Sequence, residues 1–408
     1  MSFSLKKYIF PLFALFVIFS DELFHGFFVL SGSSLGSGLK AYLAVFIAGV
    51  TYFLLFKDII TNKIKKRYYV LLFYLIILLV LYYLTHFFYP DGSMFHDYRT
   101  HLLLYGSMCI PAGYVGMRLS KRIYDSEMLD LLPYFILFIS LVIGIAQLRI
   151  IKSGSILDGD DAVLNYQQAS YYFAYCFSYA VFYLFFYKKV NKTTFDKLIN
   201  IASALIIPIC VLGCISSGGR GGFVYLGFIV VFLLYRIAKQ NRKARFKLFI
   251  GIILGLITVR VMFNYLDISD SQGFLRIFES SAADGGRFDF QRKALEVFRG
   301  APIFGKGLGS IWWTVGFYSH NIFTDLLAET GIVGTLIITL LLAKQFFVLN
   351  RRSFYSSFDF FILLVFLGVG IQSLFSGYWF ALPKLFLVFG YVFGISSKND
   401  RKPVISRK

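Results

Sequence analysis

Long apolar blocks alternate with short polar connections along most of the chain, and the connections themselves alternate in character. Apolar runs cover residues 8–30, 39–56, 68–89, 99–117, 128–151, 168–187, 198–216, 221–237, 248–266, 320–342, 358–375 and 378–395. Most have the roughly 17–25 residues an α-helix needs to cross about 30 Å of hydrocarbon. The pattern predicts an all-α polytopic membrane protein with about 12 transmembrane helices, since open strand edges cannot be satisfied in lipid. Between the ninth and tenth runs the apolar pattern lapses over 267–319, and a loop of that length is usually functional. Four parts follow: spans one to six over 1–197; spans seven to nine with an arginine-bearing turn over 198–266; a partly helical outer loop over 267–319; and spans ten to twelve with a basic tail over 320–408.

Composition sharpens this reading. The chain is 408 residues long, 58% hydrophobic and 20% aromatic, well above the apolar content of soluble domains. The net charge of +19 could suggest nucleic acid, but its distribution argues against that partner. Most lysines and arginines fall in alternate connections: the N-terminus, 57–67, 118–122, 188–197, 236–247, 344–352 and 398–408. Under the positive-inside rule those connections and both termini are cytoplasmic, so blocks such as "KQNRKARFK" at 239–247 are orientation signals. Cys109, Cys176, Cys210 and Cys214 all fall within spans, which excludes a disulfide framework in the outer loops. The five histidines, His25, His86, His96, His101 and His320, map to the outer side without ligand-like spacing.

Two outer loops exceed a simple turn. The first, "KSGSILDGDDAVLNYQ" at 152–167, holds Asp158, Asp160 and Asp161 but lacks the spacing and terminal Glu of a calcium loop, so it reads as a solvated acidic segment. The second has an internal plan. "RFDFQRKALEVFRGAP", from Arg287 to Pro302, has helical periodicity, with Phe288, Gln291, Leu295 and Phe298 on one face and Gly300 and Pro302 ending it. A flexible "GKGLGS" turn at 305–310 leads to Trp312, Trp313, Phe317 and Tyr318, placed at headgroup level. An interfacial helix lying on the bilayer is the expected picture.

Candidate chemistry gathers on this outer side. "SSGGRGGF" at 216–223 joins spans seven and eight and presents Arg220 from a glycine turn, either as a ligand group or as a snorkelling side chain. Span ten opens "SHNIFTDLLAETGIVG" at 319–334, with His320 and Asn321 at a helix N-terminus. Asp325 and Glu329 then run inward at i, i+4, which is costly unless they are paired or face a polar cavity. Gly331 and Gly334 are expected to allow close helix packing.

In order and spacing, three segments together resemble the bacterial O-antigen polymerase and O-antigen ligase family of membrane glycosyltransferases. They are the Arg220 turn "SSGGRGGF", the Arg287-led "GGRFDFQRKALEVFRGAPIFGKGLG" at 285–309, and the His320 start "SHNIFTDLLAETGIVG". The detailed resemblance covers about residues 198–345; Gln291 departs from it, standing where many members carry Trp. The resemblance implies glycan transfer from an undecaprenyl-pyrophosphate-linked oligosaccharide on the outer face of the bacterial inner membrane. The acceptor is another lipid-linked repeat unit in a polymerase and the lipid A-core in a ligase. A chain-length regulator is a further implied partner.

Chemically, Arg220 and Arg287 suit a pyrophosphate leaving group, because guanidinium groups stay charged and bind phosphate oxygens bidentately. His320, with an ordinary pKa near ~6.5, suits proton removal from an attacking sugar hydroxyl. Asn321 and Arg292 are expected to assist substrate binding. Opposed base and clamp imply inversion at the anomeric carbon. With two arginines to neutralise charge and no acidic-pair spacing, the activity is expected to be metal-independent and without a cofactor. Polymerase is the leading reading and ligase the alternative. A non-enzymatic transporter of lipid-linked glycans is the third, and it would predict mid-depth charges along the spans.

Overall fold

The structure, a computed structural model, describes residues 8–19, 35–61, 66–88, 105–121, 125–153, 166–187, 194–239 and 287–395, with scattered helical positions between 246 and 265. The acidic run at 158–161, His25, His96, His101, most of the ninth apolar run and residues 266–286 lie outside them. Every regular element among the described residues is helical. In chain order these are α1 (Tyr8–Phe19), α2 (Leu35–Ile60), α3 (Lys66–Phe88), α4 (Ile110–Leu119), α5 (Asp125–Ser153), α6 (Tyr166–Phe185), α7 (Thr194–Ser216) and α8 (Arg220–Ala238). They continue as α9 (Arg287–Gly300), α10 (Ser310–Thr314), α11 (Ile322–Arg352), α12 (Ser357–Phe375) and α13 (Pro383–Ile395). A π turn at Tyr105–Cys109 precedes α4, and a 3-10 turn at Trp379–Ala381 precedes α13.

Among the described residues four stretches are long and apolar enough to cross a membrane: Asp196–Ser216, Arg220–Ala238, Ile322–Arg352 and Ser357–Phe375. At about 1.5 Å per residue each covers most or all of a ~30 Å hydrocarbon layer. Shorter apolar helices include Tyr8–Phe19, Tyr69–Leu84, Met128–Ile139 and Pro383–Ile395. The chain divides into two compact units. One comprises Met1–Ile18, Ala41–Met128 and Asp284–Lys408; the other comprises Phe19–Lys40 and Leu129–Ala283.

In the first unit the closest helix crossing is α4 on α13. Gly116 lies against the Leu387 carbonyl and Gly390 against the Gly113 carbonyl, so a Cβ at either position would overlap backbone. Small residues at a crossing let two backbones meet, which is how membrane helices gain packing without a hydrophobic driving force. Stacked rings of Tyr82, Phe380 and Tyr105, with centroids 4.5 and 4.3 Å apart, join α3 and the π turn to the 3-10 turn. The second unit centres on α6, which packs on α7 and α8. Tyr171, Tyr175 and Tyr179, spaced i, i+4, form a stacked buried ladder along it.

The largest departure from the sequence expectation is in α11. It is one element over Ile322–Arg352, but Gly331 interrupts it at φ 64°, ψ −168°. The preceding turn fills the interruption. Lys306 N–H donates to the Ala328 carbonyl (3.0 Å) and Gly307 N–H to that of Glu329 (2.8 Å). In return Ile332 N–H donates to Pro302 (2.9 Å) and Val333 N–H to Ile303 (3.2 Å). Backbone groups freed by the break are thereby satisfied, as they must be away from water. The sequence reading of Gly331 as a packing glycine was therefore incomplete: it is a hinge into which another segment inserts.

Candidate functional site in the first unit

Four pieces of the first unit converge on His320: the start of α9, the turn at 316–320, the first half of α11 and the connection at 376–382. His320 has a φ of 61°, the one described non-glycine residue in the left-handed region. That conformation is uncommon for a side chain bearing a Cβ and persists only where its surroundings impose it. Here they do. Asn321 caps α11, its side chain accepting from Phe323 N–H at 2.9 Å. On the other flank Ser319 N–H donates to the Asp325 carboxylate at 2.8 Å, and the hydroxyls of Ser319 and Thr324 both donate to the Asn321 carbonyl.

Asp325 and Glu329 are each paired through one oxygen, while Asp325 Oδ2 and Glu329 Oε2 are buried without a hydrogen-bond partner among the described residues. Both are fully buried, at 0% and 1% exposure. Asp325 holds the turn that carries His320, and Glu329 accepts from the Tyr378 hydroxyl at 2.7 Å. Each carboxylate therefore ties α11 to a neighbouring segment.

The His320 ring is packed among aromatics: Tyr318 at 4.4 Å, Phe317 at 5.3 Å and Phe290 at 6.5 Å between centroids. Its Nδ1 is buried without a hydrogen-bond partner among the described residues. Among the described residues no carboxylate orients the ring, in contrast to a catalytic triad; ring packing and backbone bear on its direction. Burial, and next the positive charge of Arg287, push its pKa down from 6.5 to about 4. Both causes disfavour the imidazolium, so the ring is neutral at physiological pH.

Arg287 opens α9, half-buried and without a carboxylate partner among the described residues. Its charge is felt at His320 and at the Tyr318 phenol. The Tyr318 phenol is pushed up by burial and held by the Gly377 backbone and Ser376 hydroxyl. Tyr318 and Tyr378, both on the wall of this site, are groups the sequence reading did not assign. The Tyr378 contact depends on a fold-back of the connection after α12 that carries no local signature.

Of the face formed by Phe288, Gln291, Leu295 and Phe298, the last three are half-buried, and Phe288 departs from it. Phe288 is 65% exposed, while Ala294 is buried and Phe290 meets His320. Arg287, Phe290, Gln291 and Ala294 are therefore the inward stripe at i, i+3, i+4 and i+7. Arg292 is exposed and ion-paired with Asp289 at 3.0 Å.

Arg220 belongs to the second unit, where it opens α8. Gly218, at φ 76°, turns the chain before it, and the Ser170 hydroxyl donates to the Gly219 carbonyl at 2.8 Å. Gly222 lies so close to Ser170 that a Cβ would overlap it. The turn is thus clamped to α6, and Arg220 is half-buried at its tip. Among the described residues no three His, Cys, Asp or Glu side chains gather as a metal-ligand set.

A family model described as O-antigen ligase matches residues 204–339, a stretch that contains Arg220, Arg287 and His320. No curated protein matches the chain.

Proposed function

We propose that this chain, whose residues 204–339 carry the match to the O-antigen ligase family, is an inverting surface-polysaccharide repeat-unit polymerase of the bacterial inner membrane. It would take its donor glycan from undecaprenyl pyrophosphate. The observation that carries the chemistry is a half-buried His320, held at φ 61° in its turn, within the influence of an Arg287 that pairs with no carboxylate among the described residues. In the proposed reaction an acceptor hydroxyl attacks the anomeric carbon and its proton passes to His320. The bond from that carbon to the pyrophosphate oxygen breaks, and the oxygen leaves with the electron pair. Arg287 and Arg220 hold the departing charge, which two bidentate guanidinium groups can do without a divalent ion. Asn321 binds substrate beside His320, and Arg292 attracts the anionic donor from the exposed side of α9.

The proposed topology keeps about twelve spans, cytoplasmic termini and an outer-facing site. Residues Ile332–Arg352 of α11 are still long enough, at about 1.5 Å per residue, to cross the bilayer alone. The half-helix with Asp325 and Glu329 then stands at the outer boundary. Lipid A-core ligase is the second reading, favoured by the description of the matched family. Deleting the gene and resolving the surface lipoglycans on a gel tests both. Cores bearing one repeat unit are expected. Bare cores with long glycan left on undecaprenyl pyrophosphate would mean ligation instead, and an unchanged ladder would sink both readings.

A further inference from the structure

The groups around His320 also indicate what the acceptor must look like. Phe290 and Phe317 lie 5.8 Å apart, both half-exposed and both against the His320 ring. Gln291 stands on the same inward stripe of α9, one turn beyond Arg287, half-buried. Its side-chain amide makes no hydrogen bond among the described residues. Each ring has one face engaged, Phe317 stacked on Tyr318 at 4.4 Å and Phe290 under Lys293 Nζ at 6.0 Å. Their remaining half-exposed surface and one amide without a hydrogen bond among the described residues, which can donate twice and accept twice, match a particular chemistry. A pyranose has an apolar C–H face to lay on a ring and hydroxyls at its edge to meet an amide. A polyprenyl tail would use the rings but leave a half-desolvated amide unpaired, at a cost. A phosphate would use Arg287 but has no reason to meet Phe290 and Phe317.

Resting on the transfer reaction above, we propose that Phe290, Phe317 and Gln291 form the acceptor-sugar subsite, seating the terminal sugar so that its nucleophilic hydroxyl reaches His320. The sugar belongs to the acceptor because Phe290 and Phe317 pack against the base and Gln291 follows Phe290 on the same stripe, whereas the leaving group is held by arginine. Gln291 and Phe317 thus determine acceptor specificity and have no part in the bond-making step.

The test has a binding arm and a kinetic arm, both on the full chain in lipid nanodiscs. In the first, a soluble repeat-unit oligosaccharide without lipid is titrated while tryptophan fluorescence is followed, since Trp312 packs 5.3 Å from Phe317. Saturable binding is expected for the wild type and for His320→Ala. It should weaken about tenfold in Gln291→Leu and Phe317→Leu, the scale of one lost hydrogen bond or ring contact. In the second arm the two variants raise the acceptor KM about tenfold and leave the donor KM within about twofold. Gln291→Asn, which keeps the amide, recovers part of the loss.

A rise in donor KM alone, or equal binding in all variants, overturns the subsite. Oligosaccharide binding lost in Gln291→Leu but without transfer in any protein upholds the subsite and removes the transferase reading. Transfer that depends on His320 but is indifferent to Gln291 and Phe317 does the reverse.

Discussion

At the scale of single residues, the account turns on the charge state of His320. Its pKa is about 4 in the unliganded protein, lowered by burial and then by Arg287. A base must be unprotonated, so kcat/KM should hold down through pH 6.5 and fall only as pH drops through about 4. In the proposed reaction, donor binding would place pyrophosphate charge on Arg287 and remove part of the repulsion that keeps the proton off His320. The acid limb of kcat, which reports the bound complex, should therefore lie at higher pH than that of kcat/KM. Coincident limbs in paired pH profiles would contradict the pairing of Arg287 with the leaving group. Replacing Arg287 with Gln should raise the kcat/KM limb of whatever activity remains. His320 and Arg287 were legible in the sequence because each is polar where an apolar run starts or a helix opens. The left-handed backbone of His320 was not, since it depends on Asp325 reaching back to Ser319. Nor was the inward turn of Phe290 over Phe288, as both fit one helical period and only the partner ring at Phe317 decides between them.

At the scale of elements, the broken α11 links α9 and the segment after it to the turn that carries His320. Gly305 and Gly331 face each other across the inserted segment, both at positive φ and both without room for a Cβ. Ala at either position meets a backbone clash as well as an unfavourable φ, a combination worth on the order of 1–3 kcal/mol or more. Thermal unfolding in detergent should shift down for Gly331→Ala and Gly305→Ala, and transfer should fall with it. Gly370→Ala in α12, where a Cβ meets nothing within 4 Å, should leave both near wild type. Equal stability in all three variants would show that the insertion does not hold the site. The glycines and the helical period on either side were readable. The break was not, because the groups that satisfy it come from residues 302–307, and no local pattern marks such a distant partner.

At the scale of the whole molecule, the distribution of charge predicts the topology, and two ion pairs in the first unit involve arginines that this distribution assigns to cytoplasmic connections. At the end of α2 and α4 predicted to be cytoplasmic, Asp58 pairs with Arg118 at 2.6 Å and accepts from the Tyr114 hydroxyl. Arg352 pairs with Asp359 at 3.1 Å between α11 and α12, with Tyr391 donating to the same carboxylate. The charge pattern marked these arginines but not their partners, since neither Asp58, in the basic connection at 57–67, nor Asp359, at the start of an apolar run, gives a sign of which arginine it meets. All four native cysteines are free and buried, which leaves introduced thiols to report alone. Arg299→Cys should react with an impermeant maleimide applied from outside, and Lys239→Cys only after permeabilisation. The reverse result would invert the topology and remove Arg287 and His320 from the outer face. The central claim, that the two arginines and His320 transfer a lipid-linked glycan, is tested most directly by reconstitution. Purified protein in proteoliposomes would be given undecaprenyl-pyrophosphate-linked repeat units, and the products sized. Wild type should build a ladder and release undecaprenyl pyrophosphate. His320→Ala, Arg287→Ala and Arg220→Ala should each lose about 10²–10⁴ in rate while inserting normally. Near-normal ladders from all three variants would contradict the account.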